Sequence, residues 1–426
     1  MMELSIDFET RSLVDIKLGA WRYAEDPSTD LLCGAFALPD QARPDLWYPG
    51  EPLPPAVYRW LMNGSPIRAW NAEFEVAIYT HCLRELFPEL PPIKPSQVYC
   101  TQAEAIAMSL PPALGEAADA LRLPPGHLKD KEGKRLIQYL CRPFKGVLRE
   151  DPERLERMGE YCVQDVVVER VIAGKLRRLD DQELKLFRRN LVMNKRGLPI
   201  DLRRVQIMRR RWHVLKDKAN EECLSRTGFK ATQVKQLTEY CGLDDLQKKT
   251  VQDAIDNGHE HADILQLRQV AGSTSLAKLD KLPMAVCADG TMKGLFKFHG
   301  ATTGRWVSQG GFNAQNLPRG HFESPELYEY GLNIRHKMPP DELVSMLRTV
   351  FAFPMSVVDY SQIETRMLLW IADDPGLEEI REGLDPYKTM AVRLYRVNYD
   401  EVEKWQRQIG KSAVLGCGYQ LGQNGK

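Results

Sequence analysis

No CxxC pair and no histidine at zinc-finger spacing from a cysteine occurs in this 426-residue chain, although it holds nine cysteines, at 33, 82, 100, 141, 162, 223, 241, 287 and 417. That excludes the common zinc modules and leaves reduced, buried or incidental thiols as the expected state, as in cytoplasm. No apolar run is long enough to span a bilayer, and the chain starts on a strand-like segment holding Asp7 and Glu9, with no room for a signal peptide. Net charge is missing too. The 58 basic and 58 acidic side chains cancel, so the whole-molecule field neither favours nor opposes a polyanionic partner, and any nucleic-acid surface has to be local. There are no repeats or low-complexity tracts. The length predicts two to four domains, because single cores seldom grow beyond roughly 250–300 residues.

What is present is organised from strands to helices. Residues 3 to 9 read as a short strand, and an apolar segment follows from Leu31 to Leu38. Pro66 to Trp70 leads into Asn71, after which Glu73 to Leu86 has apolar residues at helical intervals until Pro88, Pro91, Pro92 and Pro95 end it. Pro152 to about Leu179 predicts one long helix. Asp180 to Leu282 is mostly helical and basic in places, at Arg188-Arg189, Lys195-Arg196, Arg203-Arg204 and Arg209 to Arg211. Such charges either track a nucleic-acid backbone or form a solvated face. Residues 290 to 371 read as strands and turns, and Pro375 to Lys426 as two helices around a turn.

Carboxylates are set out in two constellations. In the first, Asp7 and Glu9 lie two apart, so on a strand both point to one face and can share a metal. Glu75 at a helix start and Asp165 on a later helix add two more. Tyr161 stands four residues before Asp165, on the same helical face, where its hydroxyl can orient a water. Oxygen ligands suit Mg²⁺ or Mn²⁺, and a pair of such ions roughly 3.5–4 Å apart serves phosphoryl chemistry. Taken singly, each acid reads equally as a solvent-facing side chain. Their order, DxE at Asp7, Nx3E from Asn71 to Glu75 and Yx3D from Tyr161 to Asp165, resembles the three exonuclease motifs of the DEDD proofreading superfamily over roughly residues 1 to 175. The resemblance implies Asp7, Glu9, Glu75 and Asp165 as metal ligands and Tyr161 as the water-orienting residue. Glu75 stands where the family usually has Asp.

In the second constellation, Ser356-Val357-Val358 leads to Asp359, and Glu364 begins a helical segment. Arg407, Lys411, Leu415 and Tyr419 recur every four residues, so one helix face carries two cations, an apolar contact and an aromatic. That face suits a triphosphate or is simply an amphipathic helix with a basic rim. Asp359-Tyr360-Ser361-Gln362-Ile363-Glu364 with Arg366 resembles motif A of the family A DNA polymerases, and Arg407 to Tyr419 their motif B. Thr302-Thr303-Gly304-Arg305, Asn313 to Pro318 and Asp385-Pro386-Tyr387 resemble further segments of that family. The resemblance implies Asp359 as a metal ligand, Glu364 as a gate against a ribose 2′-hydroxyl, and Arg407 and Lys411 on the incoming triphosphate. Tyr419 would cap the insertion site, and Leu415 replaces a common aromatic. Arg305, Gln315 and Asn316 would hold primer–template DNA without sequence preference.

These readings together predict an α/β protein: an RNase H-like exonuclease domain over 1–178, a helical thumb over 179–290, a partial palm over 291–374 and partial fingers over 375–426. The expected activity is template-directed DNA synthesis with 3′–5′ proofreading in phage replication. Mg²⁺ or Mn²⁺ would be the cofactor, DNA and dNTPs the partners, and bacterial cytoplasm the location. The family's third palm word, His-Asp-Glu, is not found before Lys426. A truncated product, a polymerase split over two chains or an incomplete sequence would each account for this, so a separate C-terminal fragment is one candidate partner, and little synthesis is expected of this chain alone. The alternative of another class is a non-enzymatic DNA-binding remnant.

Overall fold

In the computed structural model, which describes residues 2–124, 132–310, 312–318, 340–352 and 358–418, the chain divides into two compact units, Met1–Phe353 and Pro354–Lys426. The first unit opens on β1 (Leu4–Arg11), in which buried Leu4, Ile6 and Phe8 alternate with less buried Asp7, Glu9 and Arg11. β2 (Asp30–Ala37) pairs antiparallel with it, setting Asp7 opposite Ala35 and Glu9 opposite Cys33, with an irregularity just after Glu9. β3 (Asp45–Trp47) extends this side. β4 (Ile67–Ala69) and β5 (Val98–Cys100) run parallel to β1 on the other, giving the order β3-β2-β1-β4-β5. The strand that carries two candidate ligands is thus the middle of the sheet.

Helices follow the parallel strands because a parallel partner requires a crossover. α1 (Ala72–Ile78) starts just after β4, and α2 (Thr101–Ala107) directly after β5. α1 continues through a wider π turn, Tyr79–Leu83, and ends at Leu86, close to the expected stop. α3 (Pro152–Ala173) has proline at its first position, and the Asp151 side chain accepts the Arg154 N–H at 3.1 Å. It ends at Ala173, several residues before the expected Leu179, as Gly174 closes its last turn. α3 packs on β1 and β2, where Cys33, Ala35 and Ala37 meet Tyr161, Cys162 and Val166. Leu4, Ile6, Phe8 and Phe36 belong to a separate core with Trp47, Val76 and Ile78.

A buried polar cluster ties these elements. Arg68 of β4, 1% exposed, donates to both oxygens of Glu104 on α2 at 2.6 and 3.2 Å and lies 3.5 Å from Glu3. It also donates to Thr101 at 3.1 Å, whose hydroxyl donates in turn to Glu169 on α3. Sheet, α2 and α3 are held in one register by this chain.

The rest of the first unit is largely helical, as expected. α4 (Asp181–Arg196) is capped by Asp180 and ends at Gly197, whose φ of +69° and close approach to the Met292 carbonyl favour glycine. α5 (Leu202–Thr227), four shorter helices between Val234 and Ala285, and two cores built on Val205, Met208 and Trp212 and on Cys223, Leu237 and Leu265 follow. Several cations of the basic stretch have internal partners: Arg188 donates to the Ser96 carbonyl at 2.6 Å and Arg209 pairs with Asp280 at 2.6 Å.

Beyond residue 290 the strands among the described residues are two-residue pairs, β6 (Leu198–Pro199) with β7 (Thr291–Met292) and β8 (Phe296–Lys297) with β9 (Val307–Ser308), and Ser356 and Val357 of the expected strand before Asp359 lie outside the described residues. Helices occupy Pro340–Ser345 and, in the second unit, α6 (Ile363–Ile371). Where two helices are expected after Pro375, the described residues form three: α7 (Gly376–Arg381), α8 (Pro386–Tyr395) and α9 (Lys404–Gly418). Among the described residues no helix is long and apolar enough to cross a membrane.

Candidate functional site

The strand period puts Asp7 and Glu9 on the face of β1 that α3 covers. Ligand oxygens of Asp7, Glu9 and Asp165 all lie within 4.8 Å of one another. Tyr161 is on the same α3 face one turn earlier, and α1 delivers Glu75 from beside β4. All five predicted residues line one cavity of about 590 Å³, together with Asn71, Phe74, Ile137 and Arg142.

The electrostatics follow from this crowding. Glu75 is 4% exposed, accepts the Phe8 backbone N–H, and has no hydrogen-bond partner on Oε2. Burial, then the charges of Asp7 and Glu9, hold its carboxyl well above the ordinary range. Burial likewise raises the Tyr161 phenol, reinforced by Asp165, Glu9 and Asp7, so it remains a protonated donor. Carboxylates this close ionise together only with a compensating cation. The donor set, oxygen only and including the unused buried Glu75 Oε2, fits a hard divalent ion.

Two supporting residues escaped the spacing argument. Cys162 Sγ lies 3.3 Å from Asp7 Oδ2, and burial pushes its thiol up, so it donates to the carboxylate rather than competing with it. Gly133, at the start of the Gly133–Leu136 turn of helix, faces the Tyr161 ring so closely that a Cβ there would overlap it. A cysteine inside the Yx3D word carries a weak signal; an isolated glycine carries none.

The remaining predicted residues are not gathered in this way. Arg305, Gln315 and Asn316 are exposed and lie along the segment around β9. Gln315 accepts from the Ser308 hydroxyl at 3.1 Å, and the Asn316 N–H donates to Asn313 Oδ1 at 3.0 Å. This segment is joined to the carboxylate region: Glu73, two residues before Glu75, accepts from Trp21 at 3.2 Å, Asn194 at 2.8 Å and Gln309 at 3.2 Å.

In the second unit Asp359 is exposed and Glu364 sits in the first turn of α6. Arg407 and Lys411 lie along one side of α9, 5.3 and 6.0 Å from the Tyr387 ring, and Arg407 Nε donates to Asp385 Oδ2 at 2.7 Å. Leu415 is partly buried, and Tyr419 lies outside the described residues. Among the described residues Asp359 joins no cluster of carboxylates able to hold a metal.

The model of DNA polymerase family A matches residues 214–425. A DNA polymerase of Bacillus phage SP02 is 32% identical over 99% of this chain and 70% of its own length, so its similarity extends across the carboxylate cavity as well. DNA polymerase I of Bacillus caldotenax is 27% identical over 70% of this chain, and that of Chloroflexus aurantiacus 32% over 37%. The chain spans only 29% and 15% of those two proteins. In fold it is similar to the POL domain of Pol1 from M. smegmatis in complex with DNA primer-template and dNTP, with a TM-score of 0.58 at 18% identity, covering 99% of this chain and 68% of that one.

Proposed function

The chain belongs to DNA polymerase family A, and from that premise we propose that residues 1–178 form an RNase H-like 3′–5′ exonuclease site. The observation that carries this reading is the convergence of Asp7, Glu9, Glu75, Tyr161 and Asp165 from β1, α1 and α3 into one cavity. The central β1, flanked by an antiparallel pair and a parallel pair, also supports it.

The four carboxylates would hold divalent cations, Mg²⁺ or Mn²⁺, which supply charge neutralisation at the phosphate and a more acidic water. The protein's own residues then do the positioning. Tyr161, kept protonated, holds the attacking water by its oxygen, and Cys162 fixes the Asp7 carboxylate. Water adds to phosphorus as the bond to the preceding 3′ oxygen breaks, leaving a 5′-mononucleotide and a strand one residue shorter.

The remainder is assigned as a thumb over 179–290, partial palm over 291–374 and partial fingers over 375–426. Arg305, Gln315 and Asn316 are on the duplex, Asp359 is a metal ligand, and Glu364, Arg407, Lys411, Leu415 and Tyr419 are on the nucleotide. The partly exposed Arg407–Asp385 pair contributes on the order of 1 kcal/mol or less, so a triphosphate can take the guanidinium from it. Template-directed synthesis in phage replication, in bacterial cytoplasm, completes the proposal. No observation supports a separate C-terminal fragment.

The test is degradation of a labelled single strand in Mg²⁺ or Mn²⁺. The wild-type chain degrades it and loses activity in chelator, while Asp7→Ala and Asp165→Ala proteins do not degrade it. Equal rates in all three, after contaminating nuclease is excluded, would leave the DNA-binding remnant as the better reading.

A further inference from the structure

Glu73 stands two residues before Glu75 on α1, and two helical steps of about 200° send the two side chains to nearly opposite sides. They line different cavities accordingly. Glu75 lines the carboxylate cavity, whereas Glu73 lines another of about 910 Å³, bounded also by Gln309, Gly294 and Lys281. Glu73 is therefore outside the set of candidate ligands, although Asn71 and Phe74 on either side of it line both cavities.

The partners of Glu73 come from distant parts of the chain. Its Oε2 accepts from Asn194 at 2.8 Å and Gln309 at 3.2 Å, and its Oε1 from Trp21 at 3.2 Å. Asn194, 1% exposed near the end of α4, also brackets Phe296 of β8, accepting its N–H at 3.0 Å and donating to its carbonyl at 2.7 Å. Gln309, just after β9, donates to the same carbonyl at 3.2 Å. The β8–β9 hairpin, whose connecting segment holds Arg305, is thus rooted on Glu73.

The first turn of α1 has few other supports. The Asn71 side chain makes no cap hydrogen bond. On the sheet side the turn is held where Glu75 accepts the Phe8 N–H, and on the opposite side by the three donors that converge on Glu73. A ligand is held only as precisely as the element that carries it. We propose that Glu73 is a positioning residue of the exonuclease, through which Asn194 and Gln309, both beyond residue 178, set the seat of Glu75. This rests on the exonuclease reading of the carboxylate site. It makes the chain beyond residue 178 a part of the exonuclease's geometry.

The test uses the full chain and the p-nitrophenyl ester of thymidine 5′-monophosphate, a substrate small enough to engage the carboxylates alone, with turnover followed as Mn²⁺ is raised. The variants are Glu73→Ala, Glu73→Gln and Gln309→Ala, each checked for the folded state by circular dichroism. Glu73→Ala is expected to raise the Mn²⁺ concentration for half-maximal turnover at least about tenfold, as when a group that orients a metal ligand is removed. Gln309→Ala, which removes one of three hydrogen bonds, should raise it at least about twofold, and Glu73→Gln, which keeps an acceptor for Asn194, should stay within about threefold of wild type. A role in stability alone would lower the melting temperature and leave the Mn²⁺ requirement where it was. A wild-type requirement in folded Glu73→Ala and in Gln309→Ala, or a Glu73→Gln protein as impaired as Glu73→Ala, would overturn the inference and leave the exonuclease reading standing. Should Glu73→Ala fail to fold, Gln309→Ala decides alone. Absence of ester hydrolysis in the wild-type chain would overturn the exonuclease reading and this inference with it.

Discussion

The first unit brings together residues as distant in sequence as Asp7 and Asp165, whereas in the second, among the described residues, Asp359 is exposed and joins no cluster of carboxylates. The difference lies in what supports each group. Asp7 and Glu9 are on the central strand of a five-stranded sheet, and α3 is pinned over them by small residues of β2 and by the buried Arg68 cluster. Arg407 and Lys411 gain their common face from one helix alone, and Asp359 is exposed ahead of α6. Periodicity places side chains on one face of an element. A polynuclear carboxylate site needs several elements fixed against each other.

The largest effect should come from single substitutions that separate the two regions. Asp7→Ala is expected to lower single-strand degradation by about 10²-fold or more, since even groups that only orient metal ligands cost 10–100-fold when removed. Asp359→Ala should leave that degradation within about twofold, measured under identical Mg²⁺. Equal losses would mean that the two regions do not act separately.

Next is the framework that holds α3. Arg68→Ala leaves Glu104 and Glu169 as buried carboxyls without their cation, while Glu3 keeps Arg178 at 2.7 and 3.0 Å, and is expected to lower unfolding free energy by about 3–5 kcal/mol in urea titrations. A loss under 1 kcal/mol would show that the cluster does not set the register of sheet and helices.

Gly133→Ala tests the packing of Tyr161 more gently. The added methyl overlaps the ring, so a stability loss of about 1–3 kcal/mol should accompany a fall in degradation rate with the fold retained by circular dichroism. Wild-type rate and melting temperature together would mean that Tyr161 has room the geometry does not show. The smallest effect belongs to the second unit: Asp385→Ala removes a partly exposed partner of Arg407 and the side-chain cap that accepts the Tyr387 N–H at 2.9 Å, and its cost in stability is expected to be about 1–2 kcal/mol by denaturant titration.

Much of this site was legible because chemistry constrains spacing. Alternation in β1 set Asp7 and Glu9 on one face, and a four-residue step set Tyr161 and Asp165 on another. Burial was not legible. Nothing local says that Arg68, in the segment from Pro66 to Trp70 that leads into Asn71, is buried, because Glu104 and Glu169 come from later helices. Gly133 was silent for the same reason, its role existing only opposite Tyr161. Residues 290 to 371 read as strands because isolated β-formers such as Phe296, Phe298 and Val307 stand among glycines and turns, yet among the described residues there only short pairs form. The helical segment expected from Glu364 does form, as α6 from Ile363 to Ile371.

The central claim is that Asp7, Glu9, Glu75 and Asp165 make one cation site. Mn²⁺ binding to the purified chain, followed by electron paramagnetic resonance or calorimetry, tests it most directly. The account predicts saturable binding by the wild-type protein that is lost or weakened at least about tenfold in Asp7→Ala and in Asp165→Ala alike, and that persists in Asp359→Ala. Binding of unchanged stoichiometry and affinity in both Asp7→Ala and Asp165→Ala would contradict it.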